Sequence, residues 1–395
     1  MTAQDVAAVR AAPVAGTRTI LANARLILAD EVVDGSLVIE GESIAEIDPG
    51  RTVPGDAIDC GGDYLAPGLI ELHTDNLERH MQPRPGVRWP HNAAIVAHDA
   101  ELASVGITTV FDAMRVGSNI SEARSKYGKY ARALSRELLA LRDRGGLRIS
   151  HFLHLRAEIC SETLVEELAE FSAEDRVGIV SLMDHTPEQR QFTDTKQLRT
   201  YLSGKYAMGP DEIDAHIQFQ KDVSAQYGAL HKREGVKRAG ELGAILASHD
   251  DTTPDHVSES AGQGVGLAEF PTTLEAAQAC HAHGIAVMMG APNLVRGGSH
   301  SGNVAAKDLA ERGLLDILSS DYAPASLLNG AVMLGEIWGN MARGLSTVTA
   351  APARSTGLAD RGTLTIGQRA DLVRFNADHG AAMTRGLWVR GHRVA

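Results

Sequence analysis

The stretch Pro67-Gly-Leu-Ile-Glu-Leu-His73-Thr-Asp75-Asn76 decides how the rest of the chain is read. Pro67-Gly68 makes a turn, and the apolar run behind it, bounded by breakers, predicts a buried strand. The run ends on His73 and Asp75. In an extended segment, positions i and i+2 point to the same side. An imidazole and a carboxylate then meet at the mouth of a strand, where one divalent cation takes both. A polar strand end followed by a loop has the same pattern, so further ligands must come from elsewhere in the chain.

Working outward, strand-like apolar runs recur near 69–73, 107–112, 149–157, 177–183, 244–248, 265–269, 285–290 and 315–320. Candidate helices lie at 91–104, 121–143, 161–172, 272–283 and 303–312. Eight such units predict an α/β protein with a (β/α)8 TIM barrel, whose reactive groups sit where strands end. A doubly wound sheet competes, but no Gly-x-Gly-x-x-Gly follows the first strand of this region. Both chain ends read as short strands: Thr19-Ile-Leu, Ala24–Leu28, Gly35–Glu40 and Ser43–Ile47 at one end, and Gly362–Thr365, Ala370–Phe375 and Gly386–Val394 at the other. They predict a small β-sandwich domain built from 1–65 plus 355–395, with the barrel of 66–354 inserted between. A long connection at 187–240 carries a polar helical stretch from Asp211 to Glu234. It reads equally as a lid over the site and as a surface helical hairpin.

The composition narrows the function classes. A formal net charge of -12 argues against general nucleic-acid binding. It leaves room for an anionic small substrate held by a local basic cluster. No run approaches the roughly 18–20 apolar residues of a bilayer span, and the Ala-rich Met1–Thr19 carries no apolar core of signal-peptide length. Cys60, Cys160 and Cys280 are widely spaced and make no disulfide framework. The expected setting is the cytoplasm, with no membrane partner and with room for a homo-oligomer.

What terminates the strands is informative. The third run ends in Arg156-Ala157-Glu158, the fourth in Asp184-His185, the fifth in His249-Asp250-Asp251 and the last in Asp321. With His73 and Asp75 this gives three imidazoles and three carboxylates, and barrel geometry brings such positions to one rim. The expected metal ligands are therefore His73, Asp75, Glu158, His185, His249 and Asp321. Nitrogen and oxygen donors without a thiolate suit one or two divalent ions, with Zn, Mn or Fe ahead of Ca and Zn2+ the first expectation. Glu158 would bridge two ions. Asp321 would bind one and accept a proton, since an ion lowers the pKa of its water toward about 7.

The split sandwich, the barrel and the ligand order resemble the amidohydrolase superfamily. That superfamily usually opens with His-x-His, and Asp75 stands at its second His. Many members bridge their metals with a carboxylated Lys, and Glu158 stands in its place, so one ion and two ions both remain open. More narrowly, His73–Pro90, Leu182–Phe192, Ser248–Thr253, Glu269–Thr273, Asn293–Asn303 and Ser319–Tyr322 resemble the α-D-ribose 1-methylphosphonate 5-triphosphate diphosphatase family of phosphonate catabolism (the carbon–phosphorus lyase pathway). The resemblance implies hydrolysis within a triphosphate, releasing pyrophosphate and leaving a 5-phosphate, with Asp321 as the catalytic proton acceptor. Two alternatives stand beside it: hydrolysis of a C–N bond on the same scaffold, and a barrel that binds without catalysis.

A phosphorylated sugar has counterparts in the residues. Arg84 and Arg88 lie in a Pro-stiffened loop, and guanidinium groups suit phosphate oxygens. Gly297-Gly298-Ser299-His300-Ser301-Gly302-Asn303 follows the seventh run and precedes a helix. It reads as an anion cradle of backbone N–H groups at a helix start, or as a plain tight loop. Arg84, Arg88, His80, Arg156, Arg296, Gly298, Ser299, His300 and Asn303 are the substrate-binding candidates. His80 stays open between phosphate contact and loop packing. Arg115, Lys205 and Lys232 read as solvated or structural charges until placed.

Overall fold

A computed structural model of the chain describes residues 18–84, 86–121, 128–190, 198–199, 203, 208–299, 302–378 and 380–395. The first strands are β1 (Arg18–Ile27), β2 (Val32–Glu40), β3 (Ser43–Pro49), β4 (Ile58–Asp59) and β5 (Tyr64–Pro67). Eight more follow: β6 (Leu69–Thr74), β7 (Ile107–Val116), β8 (Ser150–Glu158), β9 (Val177–Met183), β10 (Ile245–His249), β11 (Leu267–Glu269), β12 (Ala286–Gly290) and β13 (Ile317–Ser319). The last are β14 (Leu372–Asn376), β15 (Met383–Val389) and β16 (His392–Arg393).

Strands β6 to β13 form one eight-stranded sheet in sequential order, parallel where β8 to β12 pair. The result is a nearly closed (β/α)8 barrel. All eight expected runs became its strands. Strands covered on both faces read as near-continuous apolar runs, and β6 is buried at every residue. The first and last strands meet end to end. Thr74 pairs with Asp321 in parallel register, and the Asp321 N–H donates to the His73 carbonyl at 3.1 Å. The Asp75 N–H returns to the Asp321 carbonyl at 3.0 Å.

The other sheet runs β16-β15-β14-β5-β1-β2-β3, with β4 beside β1. Strand β14 pairs antiparallel with β5, Leu372 opposite Pro67 and Phe375 opposite Tyr64, so the two chain ends share one sheet. Leu21, Leu26, Leu37, Ile39, Ile44, Leu65, Leu372 and Trp388 build its apolar core. The expected strand at Gly362–Thr365 is absent among the described elements. Gly362 has φ +96, and a Cβ there would lie 2.8 Å from Ala353 Cβ, so the chain turns a tight corner instead.

By compactness the described residues fall into two units. One takes in Met1–Val110, Arg136–His151 and Leu318–Ala395; the other takes in Phe111–Ser135 and Phe152–Ile317. Connecting helices are α1 (Asn76–Met81), α2 (His91–Ser104), α3 (Ala131–Asp143), α4 (Leu164–Ala169), α5 (Pro210–Leu242), α6 (Pro254–Gly262), α7 (Leu274–Ala282), α8 (Ala291–Arg296) and α9 (Ala306–Glu311). The long connection yields the 33-residue α5. Pro210 at its first turn, Asp211 and Glu212 beside it, and a left-handed Gly243 at its end fix both limits. Lys205 lies outside the described residues, as do 191–197 and 122–127 of the expected 121–143 helix. No helix among the described residues is long and apolar enough to cross a membrane.

Candidate active site

In the first unit the site grows from β6. Alternation along the strand puts Glu71 and His73 on one side, and both are buried. The two oxygens of Glu71 accept the backbone N–H of His73 at 2.7 Å and of Ser320 at 2.6 Å. Burial pushes the Glu71 carboxyl up to about 7 against these hydrogen bonds. His73 Nε2 lies 3.9 Å from Asp75 Oδ1. One ligand atom from each of His73, Asp75 and Asp321 fits within a mutual 4.8 Å. Asp321 has φ +52, a conformation that Asp tolerates better than most residues. The backbone bonds to His73 and Asp75 hold it there.

In the second unit the expected ligands come from β8, β9 and β10. Glu158 Oε2 lies 2.5 Å from His185 Nδ1, and Glu158 Oε1 accepts the N–H of Cys160 at 3.3 Å. Burial opposes charge on Glu158, but the imidazole of His185 and the guanidinium of Arg115 hold its carboxyl below the usual range. Burial likewise opposes charge on His185, and the Glu158 carboxylate raises its pKa regardless. His185, His249 and Asp250 bring one ligand atom each within a mutual 4.8 Å. Asp184 turns away, its carboxylate accepting from the Thr186 hydroxyl at 2.6 Å.

His249 is oriented from behind. Its Nδ1 lies 3.0 Å from Glu269 Oε2, which leaves Nε2 toward Asp250 Oδ2 at 3.4 Å. The other oxygen of Glu269 is 3.3 Å from His154 Nε2. A carboxylate on the far imidazole nitrogen fixes the tautomer and raises ligand basicity. Arg190, buried, donates to the His249 carbonyl at 3.0 Å and to Asp251, so the strand end carrying His249 and Asp250 is pinned from a neighbouring loop.

Sequence reasoning did not single out Glu71, His154, Arg190, Asp250 or Glu269 for these roles. A signal existed for some. Glu71 stands two residues before His73 inside an apolar run, and Glu269 terminates the sixth run as Glu158 terminates the third.

The anion candidates are more dispersed. Arg84 and Arg88 are exposed in a loop in which Arg84 bridges Val87, and among the described residues neither has an ion-pair partner. His80 Nε2 is 2.7 Å from Glu101 Oε2, so it ties α1 to α2. Arg156 is half-buried with Nε 3.2 Å from Met183 Sδ. Arg296 is exposed at the end of α8, while Gly298, Ser299 and Asn303 are half-buried. His300 lies outside the described residues.

A helix starts directly after β12, with Pro292 in its first turn and Gly297 capping its end at φ +82. The Gly298 N–H is spent on the Asn293 carbonyl at 2.8 Å. These glycines therefore follow the end of that helix. The next helix starts only at Ala306, its N–H capped by Asn293 Oδ1 at 2.9 Å.

The chain is 40% identical over 378 residues to the alpha-D-ribose 1-methylphosphonate 5-triphosphate diphosphatase of Escherichia coli, covering 95% of this chain and 100% of that protein. It is 25% identical over 385 residues to imidazolonepropionase of Deinococcus radiodurans, covering 87% and 86%. Among solved structures, 5-methylcytosine deaminase from Klebsiella pneumoniae superposes with TM-score 0.62 at 15% identity, covering 95% of this chain and 98% of that one. Dihydropyrimidinase from Brevibacillus agri does so with TM-score 0.61 at 13% identity, covering 96% and 95%. These two show the fold. No family model matches the chain.

Proposed function

The chain belongs to the α-D-ribose 1-methylphosphonate 5-triphosphate diphosphatase family of the amidohydrolase superfamily, and from that premise we propose that it hydrolyses this sugar triphosphate to the 5-phosphate and pyrophosphate. The observation that carries the reading is the 40% identity maintained over 95% of the chain. The donor sets at the strand ends support it.

Members of the superfamily are metal-dependent, and the imidazole and carboxylate groups present here fit a divalent ion. We assign His73, Asp75, Glu158, His185, His249 and Asp321 to hold it, as one ion or two, with Zn2+ the first choice. When bound, the ion supplies Lewis acidity and a more acidic water. The protein's own groups do the rest. Asp321, fixed by backbone bonds to His73 and Asp75, accepts the proton of the attacking water at a carboxylate oxygen. Glu269 holds the His249 ring. Arg84, Arg88, Arg156 and Arg296, with Ser299, His300 and Asn303, offset charge on the phosphoryl oxygens. Gly298 lets the chain approach the anion closely, and His80 holds the loop that carries Arg84 and Arg88.

The test is hydrolysis of the sugar triphosphate by the metal-loaded protein in oxygen-18 water. Label in the sugar 5-phosphate is expected, from attack at the phosphorus on the sugar oxygen. Label only in pyrophosphate contradicts that attack. Release of ammonia or amine from cyclic amides, without pyrophosphate from the triphosphate, replaces the reading with C–N hydrolysis. Asp321→Asn should lower turnover by about 10²–10⁴-fold with the fold retained; near-native turnover removes Asp321 from the proton-accepting role.

A further inference from the structure

We propose that Glu101 is a positioning residue whose single carboxylate clamps the turn between the His73/Asp75 pair and the Arg84–Arg88 loop, and so sets where those arginines meet the triphosphate. The inference rests on the phosphate-binding role assigned above to the loop.

Helix α1 is six residues long, and no side chain caps its start at Asp75. A helix this short does not persist by itself in water, so something else must hold it. Three of its side chains converge on Glu101, which stands on α2. Arg79 Nη2 reaches both oxygens, at 2.6 and 2.8 Å, His80 Nε2 reaches one at 2.7 Å and Asn76 Nδ2 the same one at 3.0 Å. Positions 76, 79 and 80 are spaced i, i+3, i+4, hence one face of the helix. Asn76 also meets the fully buried His98 Nδ1 at 3.0 Å, and its own N–H is held by the Thr74 hydroxyl at 3.2 Å.

What lies at the two ends of this turn gives the clamp its consequence. Asp75 is the residue directly before α1. At the other end the arginine loop leaves after Gln82 and returns when the Trp89 N–H donates to the Met81 carbonyl at 2.8 Å. The loop is therefore based on the last turn of α1. Arg84 and Arg88 are exposed, so their place depends on that base. Charged hydrogen bonds are the stronger kind, and burial notwithstanding, the Arg79, Asn76 and His80 donors hold the Glu101 carboxyl down at about 2. It is an anion at any working pH. Neutralising it weakens all three bonds at once and loosens the base of the arginine loop, while the Asp321 carbonyl still holds the Asp75 N–H at 3.0 Å.

The experiment compares wild type with Glu101→Gln in the metal-loaded full chain. Binding of inorganic triphosphate is followed by calorimetry, bound metal by elemental analysis, and turnover by pyrophosphate release. Glu101→Gln should weaken triphosphate binding and raise KM by about tenfold or more, since displacements near an ångström carry such costs. Metal content and kcat should change far less. Unchanged binding and KM overturn the proposal, and so does a fall in kcat or metal content with KM intact. If Glu101→Gln fails to fold, Arg79→Ala and His80→Ala each remove one bond and should raise KM by smaller factors; no rise in either overturns it. Triphosphate binding needs no turnover. A wild type that binds the anion yet releases no pyrophosphate therefore refutes the diphosphatase reading while leaving the clamp under test.

Discussion

Replacing Glu269 with Gln probes the site through a residue behind it. The side chain is fully buried and divides its oxygens between His249 Nδ1 at 3.0 Å and His154 Nε2 at 3.3 Å. Gln keeps the volume but offers one acceptor oxygen and one NH2 group. It can accept from one imidazole only, and toward the other it presents a donor. His154 retains the Ser181 hydroxyl at 2.9 Å, and toward His249 a neutral amide oxygen is a weaker acceptor than the carboxylate. A hydrogen bond to a charged group contributes about 1.5–3 kcal/mol. At about 1.4 kcal/mol per tenfold, metal affinity should drop roughly ten- to a hundredfold, the range expected when a ligand's orienting partner is lost. Competition with a chromophoric chelator reads that affinity directly, and circular dichroism checks the fold. A variant that is folded and holds the ion as tightly as wild type refutes the claim that Glu269 sets the His249 ring.

Gly117→Ala should destabilise the fold by about 1–3 kcal/mol, because Gly117 has φ +100 and an added Cβ would lie 2.6 Å from Ser161 Oγ and 2.9 Å from the Glu158 carbonyl; an unchanged urea midpoint contradicts this. The Glu101 carboxyl titrates at about 2 in the fold instead of 4.5. A depressed carboxyl stabilises the native state above its unfolded pKa, and the contribution is lost as pH falls toward the folded one. Between pH 4.5 and 2, wild type should therefore lose more thermal stability than Glu101→Gln, and parallel melting curves would sink the idea. Stripping the divalent ion with a chelator should abolish pyrophosphate release, and adding Zn2+ or Mn2+ should restore it; undiminished release by metal-free protein rules out the ligand assignment.

The barrel was legible because its strands are buried on both faces and interrupt the chain as blocks of Leu, Ile, Val and Ala. The imidazole and carboxylate groups at strand ends were legible for a related reason: a polar residue closing an apolar run has to face something. Glu71 and His154 were harder. Each sits inside a run, where a linear reading registers an irregularity and gives no partner; Ser320 and Glu269 supply those partners across strands. Even so, His154, Arg156 and Glu158 alternate on one side of β8, a pattern available from spacing alone. The short helix ahead of Gly297 was not legible, because Pro292 can open a helix as readily as it ends one. Nothing local in Gly290-Ala-Pro-Asn distinguishes the two. At Gly362 the chain looked like a strand because Leu364 is apolar; the corner comes from contact with Ala353 and Thr349, which only the fold brings near.

The hydrogen bonds between the end of β6 and Asp321 have a bearing on biosynthesis. Thr74 and Asp321 are 247 positions apart. At the translation speed of about 5–20 residues per second, roughly 12–50 s pass between them leaving the ribosome. Through that interval the nascent polypeptide displays His73 and Asp75 without their third companion, and without the backbone anchor that holds Asp75. Under the ligand assignment proposed above, this corner therefore waits for residue 321, and a chain cut short of it lacks one of the three donors there.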